Sequence, residues 1–147
     1  MRVKGKVLSF GMEPVSALPG FSCRRCARCC KGKVVVLTDQ DISRLKPHVK
    51  NEFFVKTSKL EKRLTGADYK ILMVNGHCVF LDGNSCTVYD YRPDTCRRHP
   101  FLVTERYILV AKECTGIDWG RTQEADYYKE LSKSIARNIE RALEEGF

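Results

Sequence analysis

The chain has 147 residues, of which 43% are apolar and 30% charged, with a formal charge of +8 and eight cysteines. That size predicts a single domain over residues 1–147 with a real hydrophobic core, of ordinary globular composition. It excludes a membrane helix, because the longest apolar runs, residues 34–37 and 107–111, are far too short.

In chain order, the first twenty residues hold a predicted strand at 6–10 and then a loop marked by Gly11, Pro14, Pro19 and Gly20. The first six residues lack the apolar core of a signal peptide, so a cytoplasmic protein with reduced thiols is expected. Next comes a C-x-x-C-x-x-C-C run, Cys23, Cys26, Cys29 and Cys30, on a loop or tight turns. Residues 33–37 read as a buried strand. Thr38 is a helix N-cap, with Asp39 and Asp41 in the first turn and Pro47 as the stop. Residues 50–68 are ambiguous, although Phe53, Phe54 and Val55 belong in a core. Asn75-Gly76 favours a type I′ turn, which predicts a hairpin of residues 69–74 with 78–81. Asp82-Gly83-Asn84-Ser85 is a second turn leading to Cys86. Pro93 suits the start of a short helix carrying Cys96. A strand at 107–111 precedes the clearest helix, about 122–145, with its stripe of Tyr128, Leu131, Ile135, Ile139 and Leu143. The fold class is α+β, with short strands, a hairpin, a long C-terminal helix and loops fixed by a cysteine-ligated metal centre.

Thiolates with two residues between them chelate soft metals, because a tight turn aims both sulfurs at one point. Three in series reach three corners of an iron–sulfur cubane and need a distant fourth. Cys78, Cys86, Cys96 and Cys114 are the distant donors, so all eight cysteines are candidate ligands. A zinc ribbon needs a second C-x-x-C knuckle, which the chain does not have. The spacing therefore favours one or two iron–sulfur clusters, [4Fe–4S] in type, with zinc as the alternative. Adjacent Cys29 and Cys30 point to opposite sides in extended backbone. They serve two centres, or one ligates and the other packs. Scarce glutamine (Gln40, Gln123) beside abundant Lys, Arg and Glu suggests a thermophile, where disulfides are a lesser alternative.

These elements resemble a family known as the CxxCxxCC, or YkgJ-like, zinc- or iron-chelating domain. The run from Cys23 to Cys30 matches its naming motif. Cys78-Val79-Phe80-Leu81 is similar to its Cys-x-Phe-Leu element. Cys86-Thr87-Val88-Tyr89, Arg92-Pro93 and Cys96-Arg97 are similar to its Cys-x-Ile-Tyr-x-x-Arg-Pro-x-x-Cys-Arg element. Cys114-Thr115-Gly116 resembles a final Cys-Pro-Gly. The resemblance covers about residues 21–116. Ala27, His99 and Thr115 depart from it, and none removes a sulfur. It implies metal chelation and little more, since a flagellin lysine methylase with a similar cysteine domain is a much longer enzyme.

Arg92 can donate towards sulfurs or brace the loop between Cys86 and Cys96. Basic residues beside the cysteines, among them Arg24, Arg25, Arg28, Arg97 and Arg98, balance thiolate charge. That account leaves less of the +8 for a nucleic-acid surface, and no aromatic interleaving points to one. No nucleotide loop or catalytic triad is evident, so an enzyme is not the expected reading. Electron transfer, sensing or an accessory role with a redox or protein partner is expected instead.

Overall fold

The computed structural model describes residues 12–22, 34–83 and 85–145. The predicted strand at 6–10 and the cysteine run at 23–30 lie outside these residues. The described residues form a small α+β fold of short strands and five α-helices. Strands β1 (Met12–Val15) and β2 (Pro19–Phe21) come first, then β3 (Val36–Leu37), α1 (Asp39–Leu45) and β4 (Phe54–Lys56). Helix α2 (Lys59–Thr65) leads to β5 (Tyr69–Ile71), β6 (Met73–Val74), β7 (His77–Cys78), β8 (Leu81–Asp82) and β9 (Ser85–Cys86). The chain closes with α3 (Asp94–Arg98), β10 (Phe101–Val103), β11 (Ile108–Ala111), β12 (Ile117–Thr122), α4 (Asp126–Ser132) and α5 (Ala136–Glu145). No helix among the described residues is long and apolar enough to cross a membrane.

The described residues fall into two compact units, one drawn from Arg25–Arg97 and the other from Met1–Arg24 with Arg98–Phe147. In the first unit, β3, β5 and β4 form an antiparallel sheet in that order. Helix α1 starts where Thr38 predicts. The Thr38 hydroxyl accepts from the Asp41 N–H (3.0 Å), and the Asp41 carboxylate accepts from the Thr38 N–H (2.9 Å). Pro47 lies two residues past Leu45, where α1 ends as expected. It sits early in a further 3₁₀ turn, Lys46–His48, where its missing N–H costs nothing. The ambiguous stretch 50–68 resolves into β4 and α2. Helix α2 has its own capping box, Ser58 with Glu61, and a left-handed Gly66 (φ 75°) at its end. The expected hairpin arm at 69–74 is two strands: β5 joins the sheet, and β6 alone pairs with β7. Asn75 (φ 52°) and Gly76 (φ 80°) make the left-handed turn between them, and Gly83 (φ 63°) serves the β8–β9 hairpin. Val35, Leu37, Leu45, Phe53, Ile71 and Phe80 form most of the core.

In the second unit, the sheet order is β1-β11-β10, all antiparallel. The segment expected to be a proline-marked loop is instead two strands. Proline is tolerated because β1 is an edge strand and Pro19 is the first residue of β2. Strand β2 pairs with β12, which like β10 carried no strand prediction. The single helix expected over 122–145 is two, α4 and α5. The break follows Ser132, which is buried and bonds both back along α4 and out to the sheet. Its hydroxyl donates to the Tyr128 carbonyl (2.6 Å) and accepts from the Val103 N–H (3.1 Å). Phe101 packs edge-on against both Phe21 and Tyr128 at the centre of this unit's core.

Candidate metal centre

Three of the predicted donors arrive on one apolar cluster from three separate elements. Cys78 lies on β7 opposite Met73, Cys86 lies on β9 opposite Leu81, and Cys96 lies within α3. Cys78 is buried within the cluster of Phe53, Ile71, Phe80 and Val88; Cys86 and Cys96 are half-buried against it. Local turn chemistry sets each one. The Asn75-Gly76 turn returns the chain at Cys78, and the Gly83 turn returns it at Cys86. The Val79 N–H to Leu72 carbonyl bond (3.0 Å) and the Thr87 N–H to Phe80 carbonyl bond (2.8 Å) tie down the residues that follow them. Pro93 opens α3, its carbonyl accepting from the Cys96 N–H (3.0 Å) and the Arg97 N–H (3.0 Å).

Arg92 sits at the hinge into α3, extended (φ −51°, ψ 143°) as its following proline requires. Its guanidinium lies 3.9 Å over the Tyr89 ring, and its Nε donates to the Tyr89 carbonyl (3.0 Å). Its own carbonyl accepts from Arg97 Nε (2.8 Å) and Arg44 Nη2 (3.1 Å). Sequence reasoning missed Arg44 and saw Asp41 only as a first-turn residue. Asp41 is in fact 1% exposed, and it also accepts from the Asp94 N–H (3.1 Å) and Arg44 Nη2 (2.6 Å). Thr38 and Asp41 show a capping box in the sequence, but a partner fifty-three positions away has no local signal. His77 lies exposed on β7, as a surface histidine does.

Cys114 belongs to the other unit, just past β11, where its N–H donates to the Ala111 carbonyl (3.1 Å). There, Phe21 pairs with Ile117 and the Ser22 N–H donates to the Gly116 carbonyl (2.9 Å). Ser22, the residue directly before Cys23, is thus fastened beside the Cys114-Thr115-Gly116 element. The approach is so close that a Cβ on Gly116 would stand 2.3 Å from the Ser22 carbonyl oxygen. Cys23, Cys26, Cys29 and Cys30 lie outside the described residues. Among the described residues, no three His, Cys, Asp or Glu side chains gather into a metal-binding group.

The donor chemistry fits a thiolate-bound soft metal. A cysteine in apolar surroundings keeps its proton unless a cation stabilises the thiolate. Cys78 has those surroundings, while Arg92 and Arg97 stand on the segment leading to and past Cys96. The chain matches the CxxCxxCC family, described as "Putative zinc- or iron-chelating domain", over residues 22–115. It belongs to the CxxCxxCC family. All eight cysteines fall inside the CxxCxxCC match, whereas α4 and α5 lie beyond it. The chain is also similar to an uncharacterized protein of Methanocaldococcus jannaschii, 25% identical over 136 residues, covering 86% of this chain and 72% of that one. No solved structure matches.

Proposed function

We propose that this CxxCxxCC protein holds an iron–sulfur cluster of the [4Fe–4S] type on cysteine thiolates and serves electron transfer, sensing or an accessory role. The observation that supports the reading is that Cys78 on β7, Cys86 on β9 and Cys96 in α3 all pack in or against one apolar cluster. These three do not by themselves form a metal-binding group among the described residues, and the spaced run from Cys23 to Cys30 is proposed to supply further donors of the same softness. All eight cysteines are proposed ligands, enough for one centre with spare thiols or for two.

When bound, such a cluster supplies one-electron chemistry. The chain's own contribution is an apolar shell and fixed positive charge. Phe53, Phe80 and Val88 share the apolar cluster with buried Cys78 and are proposed to shield its sulfur from water. Arg92, held by Tyr89 through its Nε and its face, is proposed to compensate thiolate charge from outside the ligand set. Zinc on the same thiolates is the second reading, which the family's description allows equally with iron.

The test is a series of single Cys→Ser variants, each reconstituted with iron and sulfide without oxygen. Loss of the brown absorbance in the Cys78, Cys86 and Cys96 variants is the expected outcome. A wild-type protein that stays colourless on reconstitution yet binds one zinc tightly would give the zinc reading instead.

A further inference from the structure

The placement of α3 is decided by a side chain far away in sequence. Helix α3 has five residues, about one turn, and a helix that short has no stability of its own. Its N-terminal flank contains Pro93, which has no N–H, so the polar backbone groups on either side are the Arg92 carbonyl and the Asp94 N–H. Both are taken by α1. Asp41 Oδ1 accepts from the Asp94 N–H at 3.1 Å, and Arg44 Nη2 donates to the Arg92 carbonyl at 3.1 Å. Arg44 and Asp41 are themselves paired at 2.6 Å, and Arg44 lies 3.7 Å from the Asp94 carboxylate. One residue further, the Thr95 hydroxyl donates to the Val36 carbonyl at 3.0 Å.

Capping α1 needs only one oxygen of Asp41, the Oδ2 that accepts from Thr38. The other oxygen, Oδ1, accepts from the Asp94 N–H of α3 and from Arg44 of α1. A carboxylate this buried is costly unless every contact is made, so it fixes the arrangement rather than merely permitting it. Cys96 lies two residues beyond Asp94. We infer that Asp41, clamped through Arg44, is a positioning residue that holds Cys96 in place as a metal ligand. The inference rests on the reading of Cys96 as a ligand.

The experiment is a double-mutant cycle on the apo protein, with Co²⁺ alone as the probe. Affinity is measured by chelator competition, and coordination by the thiolate-to-cobalt charge-transfer band. Asp41→Ala is expected to weaken Co²⁺ binding about tenfold to a hundredfold, the range typical of residues that orient metal ligands. The same change made in a Cys96→Ala background should cost little more than Cys96→Ala alone, because Asp41 acts through that sulfur. Arg44→Met leaves the Thr38 cap intact and should weaken binding in the same background-dependent way. It also serves where Asp41→Ala fails to fold. Leu64→Ala, a core change in the same unit that touches none of these contacts, should lower stability but leave the affinity of the folded protein within about twofold. Equal losses from Asp41→Ala in both backgrounds, or a Leu64→Ala loss as large, would overturn the positioning role. Unchanged binding in Cys96→Ala alone would overturn the ligand reading beneath it.

Discussion

A methyl group added at Gly116 would meet the Ser22 carbonyl oxygen at 2.3 Å and the Phe21 ring at 2.9 Å, and the Ser22 oxygen is main chain directly after the paired strand β2. Gly116→Ala is therefore expected to destabilise the protein by about 1–3 kcal/mol, the usual cost of forcing atoms into a filled site. A shift in the urea midpoint with an unchanged slope would show it; a midpoint equal to wild type would contradict it. Ser132 makes the opposite case, where removing an atom is the damage. Ser132→Ala leaves the buried Val103 N–H without its acceptor, which costs about 1–3 kcal/mol. Urea unfolding of Ser132→Ala beside wild type measures that cost directly. Equal stability of the two would refute the bond's role. The cysteine pattern that carries the family match was legible at this scale, since residue type and spacing are written in the sequence. Asp41 was not, because a buried carboxylate and an exposed first-turn carboxylate look alike until the chain folds a distant N–H onto one of them.

Among the elements, α2 carries its own titratable brace. Burial alone would raise the Glu61 carboxyl, but Lys70 (2.7 Å) and the Ser58 N–H (2.8 Å) outweigh that and hold it below its ordinary value. A carboxyl with a depressed folded value stabilises the fold above its ordinary value and loses that contribution as pH falls through the folded one. Glu61→Gln should therefore be less stable than wild type near neutrality. Below about pH 4.5, the ordinary carboxyl value, the two should converge. Parallel stability curves for the two proteins across the acidic range up to neutrality would rule the brace out. The helix went unread within the ambiguous stretch 50–68, although Ser58, Glu61 and Gly66 spell a cap, a capping box and a stop, because the aromatic residues before it read as core and hide where the helix begins. The Asn75-Gly76 and Gly83 turns were legible because left-handed backbone selects those residues. Strands β10 and β12 were not. Residues 101–103 are buried on every side and so show no alternation, and β12 is largely exposed with Gly120 in its middle. The split of the C-terminal helix was hidden because its apolar stripe continues through the break at Ser132 with the period of an unbroken helix.

For the whole molecule, metal and folding are proposed to be one equilibrium. Whatever binds the folded chain and not the unfolded one adds to its stability. Stripping the protein with a strong chelator under reducing conditions should lower its melting temperature, and restoring the metal should return it. Because thiols must lose protons to ligate, the difference between loaded and stripped protein should shrink as pH falls below about 6. An identical melting temperature with and without metal would separate binding from folding. The charge of +8 enters here as well, because part of it is proposed to offset thiolates and not to face a polyanion. The most direct measurement of the central claim is iron and acid-labile sulfide analysis of protein purified without oxygen. The account predicts a brown protein with iron and sulfide in equal amounts, about four of each per cluster. A colourless protein holding zinc, or one with no metal and its cysteines joined as disulfides, would contradict it.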